Sequence, residues 1–157
     1  MKKAIVAGSF DPFTKGHLAI VKKAAAMFDE VTVIIGVNSN KKRYYDVESM
    51  RSAINDVLLN SGLVNCRAID FEGPIAMYCK EHGIRYTVRG LRNNMDFHYE
   101  NEITKINRLI NADLETVYLP ADNDAISSSM VREFLHYGIP VEEYVPREVM
   151  EVLKKEV

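Results

Sequence analysis

The stretch Ala4-Ile5-Val6-Ala7-Gly8-Ser9-Phe10-Asp11-Pro12-Phe13-Thr14-Lys15-Gly16-His17 decides the fold. Residues 4–7 are a short apolar run that contains Ile5 and Val6 and stops at Gly8, the pattern of a buried parallel strand. A loop over residues 9–16 gives way to a helix over residues 17–28, because Leu18, Val21, Ala25 and Phe28 fall on one helical face. Residues 31–37 are rich in β-branched side chains and too few for a core helix, so they supply the second strand of a right-handed βαβ crossover.

Outward from this unit the alternation continues. A polar loop over 38–45 leads to Asp46, which can cap a helix running to about residue 59, with Glu48 in the first turn where a carboxylate suits the dipole. Ser61-Gly62 ends it, and residues 66–71 read as a strand. Residues 74–82 form a helix with Pro74 near its first turn and Gly83 past its end, and 85–88 form another strand. A helix over 96–110, a strand over 115–119, a helix over 128–137 stopped by Gly138 and a terminal helix over 146–155 complete the chain. The expectation is a single α/β domain over residues 1–157: a Rossmann-like, doubly wound, parallel five-stranded sheet with helices on both faces. Ligands bind such sheets at the carboxyl ends of strands, which directs attention to the loops after Ala7, Val37, Val88 and Leu119.

The bulk properties narrow the function. With 157 residues the chain can bury a core without disulfides or structural metal. A net charge of -2 argues against coating nucleic acid, which needs clustered cations to neutralise many phosphates. Cys66 and Cys79 lack C-x-x-C spacing, so they read as buried reduced thiols in a cytoplasmic protein. No apolar run is long enough to span a bilayer, and the N-terminus turns polar too soon for a signal segment.

Three blocks carry polar chemistry. In the first, Gly8 and Gly16 allow close backbone approach, Ser9 offers a hydroxyl, and His17 can donate from a ring N–H to phosphoryl oxygens at a helix N-terminus. In the second, Arg89-Gly90-Leu91-Arg92 follows a strand and sets two guanidiniums beside a glycine, a phosphate-binding arrangement. Asp96 and Glu100, four residues apart, share a helix face that could hold a ribose, a base amine or hydrated Mg²⁺, or be a solvated salt-bridge face. In the third, Ser127, Ser128 and Ser129 follow Ile126 and precede a helix, where serines cap or grip phosphate. No Walker sequence and no G-x-G-x-x-G occurs. His82, His98 and His136 show no paired metal-ligand spacing.

Thr14-Lys15-Gly16-His17 resembles the T-x-G-H form of the H-x-G-H signature of the α/β nucleotidyltransferases, and Ile126 with the serines resembles their I-S-S-[ST] element. With Arg89-Gly90-Leu91-Arg92 between them, the chain from Lys3 to the last helix resembles the bacterial phosphopantetheine adenylyltransferases. That resemblance implies transfer of the adenylyl group of ATP to 4'-phosphopantetheine, giving dephospho-coenzyme A and pyrophosphate, the penultimate step of coenzyme A biosynthesis. It implies that Ser9, Phe10, His17, Gly90, Leu91, Arg92, Glu100, Ile126, Ser127, Ser128 and Ser129 meet ATP, and that Ser9, Lys41, Ile75 and Arg89 meet the acceptor. His17, Lys41 and Arg92 would carry catalysis, with His17 a donor to the transition state and not a base. It further implies Mg²⁺ held mainly by nucleotide phosphates and by no protein ligand, a homohexamer, and feedback by coenzyme A.

The chain departs from the family at several points. Ala7 stands where a proline is usual, Arg92-Asn93-Asn94-Met95-Asp96 replaces R-A-V-x-D, Pro74 replaces an aliphatic residue, and the segment before Ile126 is about two residues short. Adenine contacts between Asp122 and Ala125 are therefore left unassigned. Apart from that resemblance, Lys41-Lys42-Arg43 reads as a solvated loop. The competing readings are a related transferase acting on nicotinamide mononucleotide or, with CTP, on a polyol phosphate, and a non-catalytic nucleotide sensor.

Overall fold

The computed structural model describes residues 1–92, 94–122 and 125–155, with the helical course of the chain alone for 94–97. The elements are β1 (Lys3–Gly8), α1 (Lys15–Met27), β2 (Glu30–Val37), α2 (Val47–Asn60), β3 (Cys66–Glu72), α3 (Ile75–His82), β4 (Tyr86–Leu91), α4 (Asn94–Ile110), β5 (Glu115–Pro120), α5 (Ser128–His136) and α6 (Arg147–Lys155). The five strands form one sheet in the order β3-β2-β1-β4-β5, with every neighbouring pair parallel. The chain winds outward through β1, β2 and β3, then crosses back to β4 beside β1. Strand order reverses between β1 and β4, where the loops leaving the two strands open a crevice.

Both faces of the sheet are covered, as the strand-helix alternation predicts. Ala4 and Val6 of β1 and Val31, Val33 and Ile35 of β2 join one buried cluster with Val21 and Ala24 of α1, Ile54 and Val57 of α2, Val131 of α5, and Val149 and Leu153 of α6. Ile5 and Ile34 point the other way and pack with Ala76, Tyr78 and Cys79 of α3, Ile84 and Leu114. A period of two with both faces buried is why these strands read as continuous apolar runs.

The ends of the elements follow local chemistry. Asp46 caps α2 by accepting the Ser49 N–H at 3.0 Å. Gly83 closes α3 in the left-handed region at φ 65°, where its N–H reaches the Cys79 carbonyl. On the edge strand β3, Asn55 of α2 accepts the Ala68 N–H at 2.9 Å and donates to the Ala68 carbonyl at 3.1 Å, which occupies backbone groups an intruding strand would use. Cys66 and Cys79 are free thiols, and burial pushes Cys79 up to about 12. Among the described residues, no helix is long and apolar enough to cross a membrane.

Two boundaries differ from the sequence reading in ways that matter for function. Helix α1 begins at Lys15, not at residue 17, because the Thr14 side chain supplies its cap. Strand β4 runs to Leu91, three residues beyond the predicted end, because Arg89, Gly90 and Leu91 pair with Tyr118, Leu119 and Pro120 of β5. A polar, glycine-containing sequence is held in a strand there by its neighbour, not by its own propensity.

Candidate active site

The loop from Ser9 to Thr14 turns back against the sheet. Phe10 adopts φ 44°, and its ring folds over Gly8, where an added Cβ would stand 3.1 Å from the ring. Phe10, Asp11, Pro12, Phe13 and Thr14 are all buried. A buried loop must pair its carbonyls, and distant side chains do so here. Arg43 donates to the carbonyls of Ser9 at 2.6 Å and Phe10 at 3.3 Å. Arg132 Nη1 donates to the Asp11 carbonyl and Ser128 Oγ to the Pro12 carbonyl, each at 2.7 Å. The Asp11 carboxylate in turn accepts the N–H groups of Tyr44 and Tyr45, both at 2.9 Å.

His17 occupies the third position of α1. Its N–H donates to Thr14 Oγ1 at 3.3 Å, and its Nδ1 accepts the Thr14 N–H at 3.0 Å, so the imidazole replaces the acidic or amide member of a capping box. A ring nitrogen that accepts carries no proton, which places the proton of the neutral ring on Nε2. The rings of Phe10 and Phe13 flank it at centroid distances of 4.9 and 5.6 Å. Burial, followed by the positive charges of Arg89 and Arg92, lowers the pKa from 6.5 to about 4. At neutral pH His17 is therefore uncharged, with a ring N–H to donate.

Arg89 reaches from β4 across the switch point. Its Nε and Nη2 form a two-pronged pair with the Glu100 carboxylate, both at 2.7 Å, and its Nη1 donates to the Ala7 carbonyl at 2.9 Å. Gly90 lets α1 pack against β4, since a Cβ there would lie 3.1 Å from the Ile20 side chain. At the start of α5, Ser127 Oγ accepts the Met130 N–H at 3.0 Å as a helix cap.

These elements enclose a cavity of about 340 Å³, within the range of about 300–1,000 Å³ usual for small-molecule sites. Gly8, Ser9, Phe10, Gly16, His17, Arg89, Gly90, Arg92, Glu100, Ile126, Ser127 and Ser128 line it. Its charged lining is two arginines and one carboxylate that Arg89 already engages at both oxygens, so the site favours an anion. Among the described residues, no three His, Cys, Asp or Glu gather as a metal-binding set.

The cytidylyltransferase-like family model matches residues 5–134. A phosphopantetheine adenylyltransferase from Leuconostoc citreum is 40% identical over 158 residues, covering 99% of this chain and 98% of that one. One from Thermotoga neapolitana is 40% identical over 152 residues, covering 96% and 93%. The chain belongs to the phosphopantetheine adenylyltransferase family. The fold of the family is also that of a Vibrio parahaemolyticus protein provisionally described as a nicotinate-nucleotide adenylyltransferase, which superposes with a TM-score of 0.73 at 20% identity over 99% of this chain and 93% of that one.

Against this family frame, the structure brings together at one cavity ten of the residues expected to meet ATP or the acceptor: Ser9, Phe10, His17, Arg89, Gly90, Arg92, Glu100, Ile126, Ser127 and Ser128, with Gly8 and Gly16 beside them. Leu91 and Ser129 sit beside lining residues without lining the cavity themselves. Lys41 is exposed in the loop after β2, and Ile75 opens α3 and packs on the second core cluster, so neither lines it. The Asp96 side chain and residues 123 and 124, which fall in the segment where adenine contacts are expected, lie outside the described residues. The picture of Glu100 as a free carboxylate changes, because both its oxygens orient Arg89. The picture of Ser128 as a free phosphate grip changes too, because its hydroxyl proton goes to Pro12.

Asp11, Arg43 and Arg132 escaped the sequence reading. The available signal was Asp11 itself: a carboxylate flanked by Phe10 and Pro12-Phe13 has to be paired once buried.

Proposed function

We propose that this family member joins the adenylyl group of ATP to 4'-phosphopantetheine. A phosphate oxygen of the acceptor attacks the α-phosphorus, the bond from that phosphorus to the bridging β-phosphate oxygen breaks, and pyrophosphate leaves with dephospho-coenzyme A as the other product. The attacking oxygen is already ionised, so no protein base or nucleophile is required, and the work is positioning and charge stabilisation. The observation that carries the reading is the neutral His17, whose Nδ1 is committed to Thr14 and whose Nε2–H is left for a cavity that it shares with Arg89 and Arg92.

In this reading His17 and Arg92 stabilise the charge that builds on the α-phosphate and the leaving group, and one such donor is worth ~3–4 kcal/mol. Ser9, Arg89, Lys41 and Ile75 hold the acceptor, while Phe10, Gly90, Leu91, Glu100, Ile126 and the three serines shape the ATP side. Mg²⁺ would come with the triphosphate and neutralise part of its charge. Family membership supports a single cytoplasmic domain that assembles as a hexamer and is inhibited by coenzyme A.

Offering ATP and Mg²⁺ with phosphopantetheine, nicotinamide mononucleotide or glycerol 3-phosphate, and measuring pyrophosphate, tests the reading. Phosphopantetheine should dominate, and His17→Ala should lower kcat roughly 10²–10³-fold. Turnover with another acceptor alone would assign a different transferase. ATP binding without pyrophosphate release would make the protein a sensor, and a His17→Ala variant that loses only ATP affinity would overturn the donor role.

A further inference from the structure

We propose that Arg43 is a positioning residue for the acceptor phosphate, clamping the loop that bears Lys41 onto the Ser9 turn. The inference rests on the reading above, in which Lys41 and Ser9 meet the same acceptor. Arg43 sits two residues after Lys41, in a stretch whose sequence alone suggests a solvated loop. Its guanidinium spans two loops. Nε donates to the Tyr45 carbonyl at 3.1 Å within its own loop, while Nη1 and Nη2 donate to the Ser9 and Phe10 carbonyls of the other.

The same group stands 3.6 Å from Asp11, which returns the connection by accepting the Tyr44 and Tyr45 N–H groups. A planar fork with all three nitrogens engaged is a rigid spacer, a geometry that an ammonium cannot copy. Those donors are spent on protein carbonyls and Asp11, and Arg43 does not line the cavity, so it acts through Lys41 and Ser9 and not on the phosphate. Lys41 has little other anchorage: it is exposed, and its N–H is bonded within the loop to the Asn38 carbonyl at 2.9 Å.

The test compares the parent protein with Arg43→Met, which keeps the aliphatic stem without donors, and with Arg43→Lys. Steady-state kinetics with phosphopantetheine and ATP, and amide hydrogen exchange at Tyr44 and Tyr45 in the unliganded protein, are read for each. For Arg43→Met the acceptor KM should rise and kcat fall, together costing roughly 10–100-fold in kcat/KM for the acceptor, and the rise in acceptor KM should exceed any rise in the KM for ATP, whose side Arg43 touches only through the Ser9 and Phe10 carbonyls. Exchange at Tyr44 and Tyr45 should accelerate, and Arg43→Lys should recover only part of each effect. Unchanged exchange with an unchanged acceptor KM overturns the proposal, as does an equal loss toward both substrates, which marks general destabilisation. If the parent itself releases no pyrophosphate with phosphopantetheine, the functional reading fails, and the exchange rates still decide whether Arg43 clamps the two loops.

Discussion

Two loops leave the same edge of the sheet from adjacent strands and meet opposite fates. The loop after β1 is buried from Phe10 to Thr14, whereas the loop after β2 is exposed from Asn38 to Lys42. The buried loop cannot leave its carbonyls to water, and it recruits Arg43 from the loop after β2 and Ser128 and Arg132 from α5. The exposed loop needs no such help and takes its order from the buried one, through Arg43 and Asp11. The difference teaches that paired polar groups are concentrated at the turn that holds the neutral His17, and that the exposed loop is tied to that turn through Arg43 and Asp11.

Four measurements break or sharpen that contrast. Phe13 has 0% exposure and packs against Phe10 and His17, so Phe13→Ala should destabilise the protein by about 3–5 kcal/mol in urea unfolding. A cost under 1 kcal/mol would show that the loop is less tightly built than its burial indicates.

The titration of His17 comes next. Its pKa is about 4 in the folded protein against 6.5 as the ordinary value, so between those values the unfolded chain binds more protons. Unfolding free energy should therefore rise with pH across that window, be complete above it, and be lost as pH falls toward 4. The full contribution is roughly 3 kcal/mol at most. Urea midpoints of the parent and His17→Gln, taken across the window, should differ in slope, and equal slopes would mean that His17 titrates normally.

Ser128→Ala should cost about 1–2 kcal/mol, because it leaves the buried Pro12 carbonyl unpaired. It should also loosen the turn, which faster amide exchange at Phe13 would report. Lys41→Ala should leave stability within about 0.5 kcal/mol while raising the acceptor KM about 10–100-fold, the worth of one charge-assisted contact. If instead it unfolds the protein and Ser128→Ala does not, the contrast between the loops is inverted.

Much of the fold was legible because its signals are local. Leu18 and Val21 at helical spacing, the apolar runs at Ile5 and Ile34, Asp46 as a cap and Gly83 as a stop each report on their own neighbourhood. The strand at Arg89 was misread at its end because it is held by β5 partners 29 residues away, from Arg89 to Tyr118. That His17, Arg89, Arg92, Ser127 and Ser128 gather at one cavity was readable because uncommon residues stand near strand-to-helix junctions. Their individual tasks were not: Ser128 reads as a phosphate grip and braces Pro12, and Glu100 reads as a ligand and orients Arg89.

What this chain determined through sequence alone is the alternation of strands and helices, the two apolar faces of each central strand, and the three polar blocks that the winding must bring to one edge. Tertiary structure decided which polar group answers which. Arg43 finds Ser9 across 34 residues, Arg89 finds Ala7 across 82, and Ser128 finds Pro12 across 116. No local periodicity encodes such pairings, because they arise only when burial removes water and each stranded donor or acceptor must take the partner that the packed chain sets beside it.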